Sequence, residues 1–240
     1  VECAQPSAIR RGAAFSEAVY DGVTEVEGVI CRRVETAEEI AHCHARGEVP
    51  LFVDETLSCL AEIHPAAVVD AILAKRNLGT QRSMAPITVG LGPGFTAVEA
   101  VDAVVETMRG HDLGRVLYAG AALPNTGVPG LIAGEGTKRV IHAPAAGNIV
   151  HKARIGDLVE AGQTIALLGD TPVKATLTGV LRGLIRAGYP VTCGLKIADI
   201  DPRGEQQKNC FTVSDKARCI AGGVLEALLT LAREREVELL

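Results

Sequence analysis

Between Ala143 and Pro202, apolar positions alternate with polar ones in short runs broken by glycines, and the pattern recurs at an offset of 32 residues. Ala143 matches Ala175, Gly147 matches Gly179, Ile149 matches Leu181, Gly156 matches Gly188, Val159 matches Val191, Gly162 matches Gly194 and Ile165 matches Ile197, with no gap. A period of two is the signature of a strand with one buried face, and glycine supplies the positive φ that tight turns need. Each copy therefore predicts the same series of short strands. Neither copy can bury its apolar face alone, so the two are expected to close on one another as an all-β barrel-sandwich spanning residues 139–203.

Residues 1–138 alternate helix and strand signals, which predicts a Rossmann-like α/β unit. Thr36 and Glu39 form a capping box for a helix ending near Gly47. Strands are expected at Val49–Val53, Ala66–Leu73, Ile87–Leu91, Ala103–Met108 and Arg115–Ala119, with a short helix from Thr56 to before Pro65. After the repeat, residues 204–240 predict a strand at Cys210–Val213 and a long helix capped by Ser214. That helix carries the stripe Ile220, Val224, Leu225, Leu228, Leu229 and Leu231, which should pack back on the α/β unit or on another subunit. Gly222-Gly223 inside it predicts a close backbone contact.

Composition narrows the classes. Hydrophobic residues make up 48% of the chain but aromatics only 3%, with no Trp, so a base-stacking platform is hard to build. The formal net charge of -5 argues against a broad nucleic-acid footprint, and any anion must be met by a local basic cluster. The seven cysteines, an odd number without CxxC spacing, predict reduced thiols and a cytoplasmic protein. No apolar run is long enough for a bilayer, no signal-peptide pattern opens the chain, and homo-oligomerisation is compatible with the apolar helix stripe.

The chemistry concentrates in loops that follow predicted strands. Gly90-Leu91-Gly92-Pro93-Gly94-Phe95-Thr96 follows a strand and precedes a helix start expected at Thr96, an arrangement that can aim backbone N–H groups at a phosphate. A plain tight connection between two backbones explains the same glycines. Lys75, Arg76, Asn77, Arg109, His111 and Arg115 all fall at strand ends or loops. If those loops share one edge, Lys75, Arg76, Asn77, Gly92, Gly94, Thr96, Arg109 and His111 form an anion site, the alternative being solvated loop charges. Glu106, in an apolar strand, is a general base or the partner of an arginine. His42-Cys43-His44 lies within a helix, where consecutive side chains diverge, so no metal site is expected.

Two resemblances add to this. Ala143-Pro144-Ala145-Ala146-Gly147-Asn148-Ile149 and Gly156-Asp157-Leu158-Val159-Glu160-Ala161-Gly162-Gln163 resemble the half-motif of biotinyl/lipoyl domains, which implies a biotinyl/lipoyl-like barrel. The lysine that such carriers modify has no counterpart at the short join Gly169–Val173. Lys174 falls in a strand instead, so neither biotin nor lipoate is expected.

The loops around Lys75, Gly92, Arg109 and Pro124-Asn125-Thr126-Gly127, with Asp199-Ile200-Asp201-Pro202-Arg203-Gly204 and Phe211 to Arg218, resemble the YqeB family. These are accessory proteins of the selenium-dependent molybdenum hydroxylase system. The resemblance implies a factor in molybdenum cofactor maturation, with a molybdenum hydroxylase apo-enzyme as partner and a nucleotide or molybdopterin-type ligand at the anion site. A small-molecule enzyme acting on a phosphorylated substrate and a non-catalytic structural adaptor are the alternatives. The family's opening strand and Gly-x-Gly-Asp-Leu-type loop have no match before Val1, so the chain reads as a late start or a fragment. Ile72 stands where the family carries arginine.

Overall fold

A computed structural model describes residues 1–128 and 130–239. In chain order its strands are β1 (Val23–Val26), β2 (Val29–Val34), β3 (Val49–Phe52), β4 (Ala67–Asp70), β5 (Ile87–Leu91), β6 (Thr96–Ala97), β7 (Ala103–Val105), β8 (Val116–Leu117) and β9 (Gly120–Ala121). They continue as β10 (Val140–His142), β11 (Gly147–His151), β12 (Leu158–Val159), β13 (Thr164–Leu168), β14 (Thr171–Lys174), β15 (Gly179–Leu184), β16 (Pro190–Val191) and β17 (Lys196–Asp201). The α-helices are α1 (Ala18–Asp21), α2 (Ala37–Ala45), α3 (Leu60–Ile63) and α4 (Asp215–Arg235). The chain divides into two compact units, 1–57 with 128–213 and 58–127 with 214–240. Of the spans expected from sequence, 139–203 falls wholly in the first unit, whereas 1–138 is shared between both.

In the first unit, strand alternation carries the 32-residue repeat into three dimensions. The strands β11, β12 and β13 of one copy correspond to β15, β16 and β17 of the other, each displaced by 32 residues or within one of it. One sheet has the order β10-β17-β15-β12 and the other β14-β13-β11-β16. Exchanging the two copies turns one order into the other, so the halves interlock: β12 pairs with β15, and β16 with β11. A single apolar cluster draws Ile149, Ile165 and Leu168 from one sheet and Leu181, Ile197 and Ile200 from the other.

The expected closed barrel is not formed. Both sheets are open, ending on β10 and β12 in one and on β14 and β16 in the other. The physical reason lies in the outer strands. β12 and β16 are two residues long, too short to supply a hydrogen-bonded seam from one sheet to the next. Lys174 lies at the end of β14, opposite Thr164 of β13, and is exposed.

The same unit contains the N-terminal segment. β1 and β2 form a hairpin, and β2 runs parallel to β3 through the α2 crossover. The Thr36 hydroxyl accepts from the Glu39 N–H as a cap should, while the Glu39 carboxylate accepts from the N–H of Glu35.

The second unit is built on the order β4-β5-β7-β8, with β4, β5 and β7 parallel and β8 antiparallel to β7. Alternation sorts the faces. Ile87, Val89, Leu91, Ala103 and Val105 meet Ile220, Ala227 and Leu231 of α4, whereas Val104 faces a smaller cluster with Phe95, Ala97 and Val101. Gly223 is where α4 crosses closest: a Cβ there would overlap the Gly114 carbonyl. Of the expected stripe, Leu225 and Leu229 are exposed.

The Rossmann-like expectation is also corrected. β5 and β7 are joined by residues 92–102, which hold only the short strand β6 and no helix, so these parallel strands lack the βαβ crossover of that class, and β2-α2-β3, which has one, belongs to a separate sheet in the other unit. The helix start expected at Thr96 is therefore a two-residue strand paired with β9. The strand expected at Cys210–Val213 is replaced by a 3-10 turn at Gln207–Cys210.

Candidate functional site

Three parallel strands that end together deliver three loops to one edge. β4 leads into 71–80, β5 into the Gly92-Pro93-Gly94 turn, and β7 into 106–115. α4 runs the other way, so its first turn arrives at this same edge, where Arg109 grips Asp215 with hydrogen bonds of 2.7 and 2.9 Å.

The loop after β4 is shaped by its own polar groups. The Asp70 carboxylate accepts from the Ile72 N–H at 3.0 Å and from the Thr80 hydroxyl at 2.6 Å, closing the loop at its base. Asn77 accepts from the N–H groups of Gly79 and Thr80 and donates to the Thr80 carbonyl, each at 2.8 Å. Leu73 and Lys75 are held at φ of 58° and 64°, a left-handed conformation that a bulky side chain adopts only under constraint. The result is a stiff loop with Lys75 and Arg76 exposed at its tip. Asn77 is a strut of this loop, its amide oxygen and nitrogen both bonded within it.

The glycine turn is tight because other backbones press on it. A Cβ on Gly94 would lie 2.5 Å from the Arg76 Cα, and one on Gly92 would overlap the Thr107 hydroxyl. The three loops are thus in contact through the places where side chains are missing. Glu106, 3% exposed, accepts from the N–H groups of Thr107 (2.7 Å), Met108 (2.6 Å) and Leu123 (2.8 Å). It is neither the partner of an arginine nor poised as a base. Three backbone donors hold it.

The cations fare differently. Arg109 has its fork taken by Asp215, which raises its pKa. Arg115 donates to Asp112 at 2.6 Å. Lys75, Arg76 and Lys216 take part in no ion pair among the described residues. Lys216, the second residue of α4, is half-buried. Burial and the positive charges of Lys75 and Arg109 push its pKa below the ordinary lysine range, against the pull of Glu106 and Asp215. Lysine in the first turn of a helix also opposes the helix dipole. So the edge gathers four cations, Lys75, Arg76, Arg109 and Lys216, of which only Arg109 is held in an ion pair among the described residues.

Of the residues predicted from sequence, Lys75, Arg76, Gly92, Gly94 and Arg109 converge here. His111 is exposed in the turn beyond Arg109, and Thr96 lies in β6 beyond the glycine turn. Sequence reasoning missed Lys216. Its signal was available, since Ser214-Asp215-Lys216 opens a long helix with a base where an acid is favoured. In α2, Cys43 is buried while His42 and His44 are exposed. Among the described residues no cluster of three His, Cys, Asp or Glu side chains could hold a metal ion, and no helix is long and apolar enough to cross a membrane.

The fold and the edge define a class: an α/β protein with a short parallel sheet whose strand ends carry a glycine turn and basic loops. Over 234 residues the chain is 52% identical to a protein of Escherichia coli (strain K12) described as uncharacterized protein YqeB, an alignment covering 98% of this chain and 43% of that protein. At that identity the two are homologous, so the resemblance to the YqeB family rests on common descent. The chain spans less than half the length of this curated relative. No family model matches the chain. No solved structure matches it either.

Proposed function

We propose that the edge formed by Lys75, Gly92, Gly94, Arg109 and Lys216 binds a phosphate-bearing ligand. On this reading the chain acts as an accessory factor in maturing a selenium-dependent molybdenum hydroxylase. The observation that carries the binding step is Lys216. A half-buried ammonium near Lys75 and Arg109, offset only in part by Glu106 and by an Asp215 already engaged with Arg109, is costly, and a bound phosphate group would lower that cost. The pathway rests on the family resemblance, which suggests a nucleotide or a molybdopterin-type ligand and an apo-hydroxylase as partner.

Arg109 acts mainly by orientation here, because its two donors already meet Asp215. Lys216 and Lys75 then supply the direct charge. Isothermal titration of the full chain with inorganic phosphate, nucleotides and a molybdopterin-type ligand tests this on the wild type and on Lys216→Gln. A charge-assisted contact implies at least about a tenfold loss of affinity in the variant. Equal affinity in both would remove Lys216 from the site, and steady turnover of a phosphorylated ligand would move the reading to an enzyme.

A further inference from the structure

The internal repeat of the first unit supplies its own control, because the same strand pair occurs twice. In one copy β11 pairs with β13 without interruption: Ile149 faces Leu168, Val150 faces Leu167 and His151 faces Ala166. In the other, Leu181 faces Ile200 but Gly183 faces Asp199, so Arg182 is left without a partner opposite it. Arg182 is the counterpart of Val150, which stands 54% exposed on an unbroken strand. A bulge of this kind re-aims the extra side chain.

The chain's N-terminal segment runs alongside that bulge. The Leu184 N–H donates to the Ile9 carbonyl at 2.8 Å, and a Cβ on Gly183 would lie 3.3 Å from the Arg10 Cδ. Two guanidinium groups therefore share one neighbourhood, and burial first, then the charge of Arg182, lowers the hold of Arg10 on its proton. The Nε atoms of both are buried without a hydrogen-bond partner, two of three such side-chain atoms among the described residues.

The nearby carboxylates are already engaged. Asp199 accepts from Arg139 at 3.0 and 3.3 Å, and Asp201 from Arg203 at 2.9 and 2.7 Å. Among the described residues Arg10 donates only to the Asn209 carbonyl, at 3.2 Å. The Cys210 thiol, fully buried, lies within the field of both arginines, and burial pushes its pKa up. A buried neutral thiol offers no countercharge.

We propose that Arg10 and Arg182 form a second anion site, which takes the doubly charged tetrahedral oxyanion of phosphate, free or on a small monoester. Planar guanidinium forks suit such an anion because each can bind two oxygens at once. The site is independent of the lysine edge in the other unit, being built from other residues.

The test is phosphate titration of the 240-residue chain in a Lys75→Gln/Lys216→Gln background, followed by ³¹P NMR and calorimetry. One equivalent of inorganic phosphate is expected to bind in that background, and adding Arg182→Gln should weaken it at least about tenfold, with Arg182→Lys intermediate. Adenosine monophosphate in place of inorganic phosphate distinguishes a monoester from the free ion.

Thermal unfolding separates binding from a structural role. Without phosphate, Arg182→Gln should melt at or above the background protein, since a like-charge pair is relieved. Phosphate should raise the melting temperature only when Arg182 is present. No phosphate uptake in the background protein, or the same uptake with and without Arg182, overturns the proposal.

Discussion

The two edges of the parallel sheet in the second unit handle charge in opposite ways. At the edge where β5 and β7 begin, the Asp102 carboxylate accepts from the Thr88 N–H and hydroxyl and from Arg82 and Arg235, at 2.8 to 3.0 Å. Burial pushes its pKa up, but these donors outweigh burial and hold it down to about 2. At the edge where the strands end, the carboxylates Asp70 and Glu106 accept from backbone N–H groups and a hydroxyl, and the lysines form no ion pair among the described residues. Both edges bury carboxylates beside cations. What differs is who neutralises the acids, and that decides whether an edge is sealed or left receptive.

The sharpest way to break the contrast is Asp102→Asn. It turns an acceptor of four hydrogen bonds into a group whose NH₂ meets other donors, and it leaves two arginines without their carboxylate. A loss of about 3 kcal/mol in unfolding free energy is expected by denaturant titration, with phosphate affinity of the folded protein unchanged. A loss of affinity without a loss of stability would show that the sealed edge is not merely structural.

Gly94→Ala acts on the opposite edge. Its Cβ would press on the Arg76 backbone, and its φ of +111° is closed to alanine. The loop bearing Lys75 must shift, so stability should fall by about 1–3 kcal/mol while phosphate binding is lost. Retained binding would mean that the loop position does not matter to the ligand.

How much of this could be read from the chain alone differs between the units. The 32-residue repeat determined which residues become strands and, through its symmetry, which pairs interlock. It carried no signal for closure, because that depends on how far short outer strands such as β12 can reach. The segments around β3 and β4 look alike as sequence, yet they enter different sheets, since sheet membership is set by contacts between distant residues. The Gly92-Pro93-Gly94 turn was legible as a tight approach, and Arg76 is the backbone that approaches. The helix expected after it failed because residues 96–101 fold back on themselves, with Ala97 bridging to Val101. Lys216 was legible only as a base in the first turn of a helix; its place beside Arg109 was not, because that helix starts more than a hundred residues later, a distance that no local pattern spans.

The smallest expected effect compares the edges by pH. Asp102 has a folded pKa of about 2 against an ordinary 3.8, so its stabilisation is complete above about pH 4 and is lost as pH falls toward 2. That acid limb amounts to about 2 kcal/mol, since its side chain is 2% exposed and little screened. Lys216 works in the other direction. Its folded pKa lies below the ordinary 10.5, so in the window between the two the unfolded chain binds more protons and stability rises with pH. At neutral pH the folded protein carries the whole cost of that charge. The difference in unfolding free energy between wild type and Lys216→Gln, followed from pH 7 to pH 11, should therefore drift in favour of the wild type as pH rises. Saturating phosphate should abolish the drift, because a bound anion restores the ammonium's hold on its proton. A flat difference in phosphate-free buffer would mean that Lys216 is solvated, and the receptive edge would lose the residue that defines it.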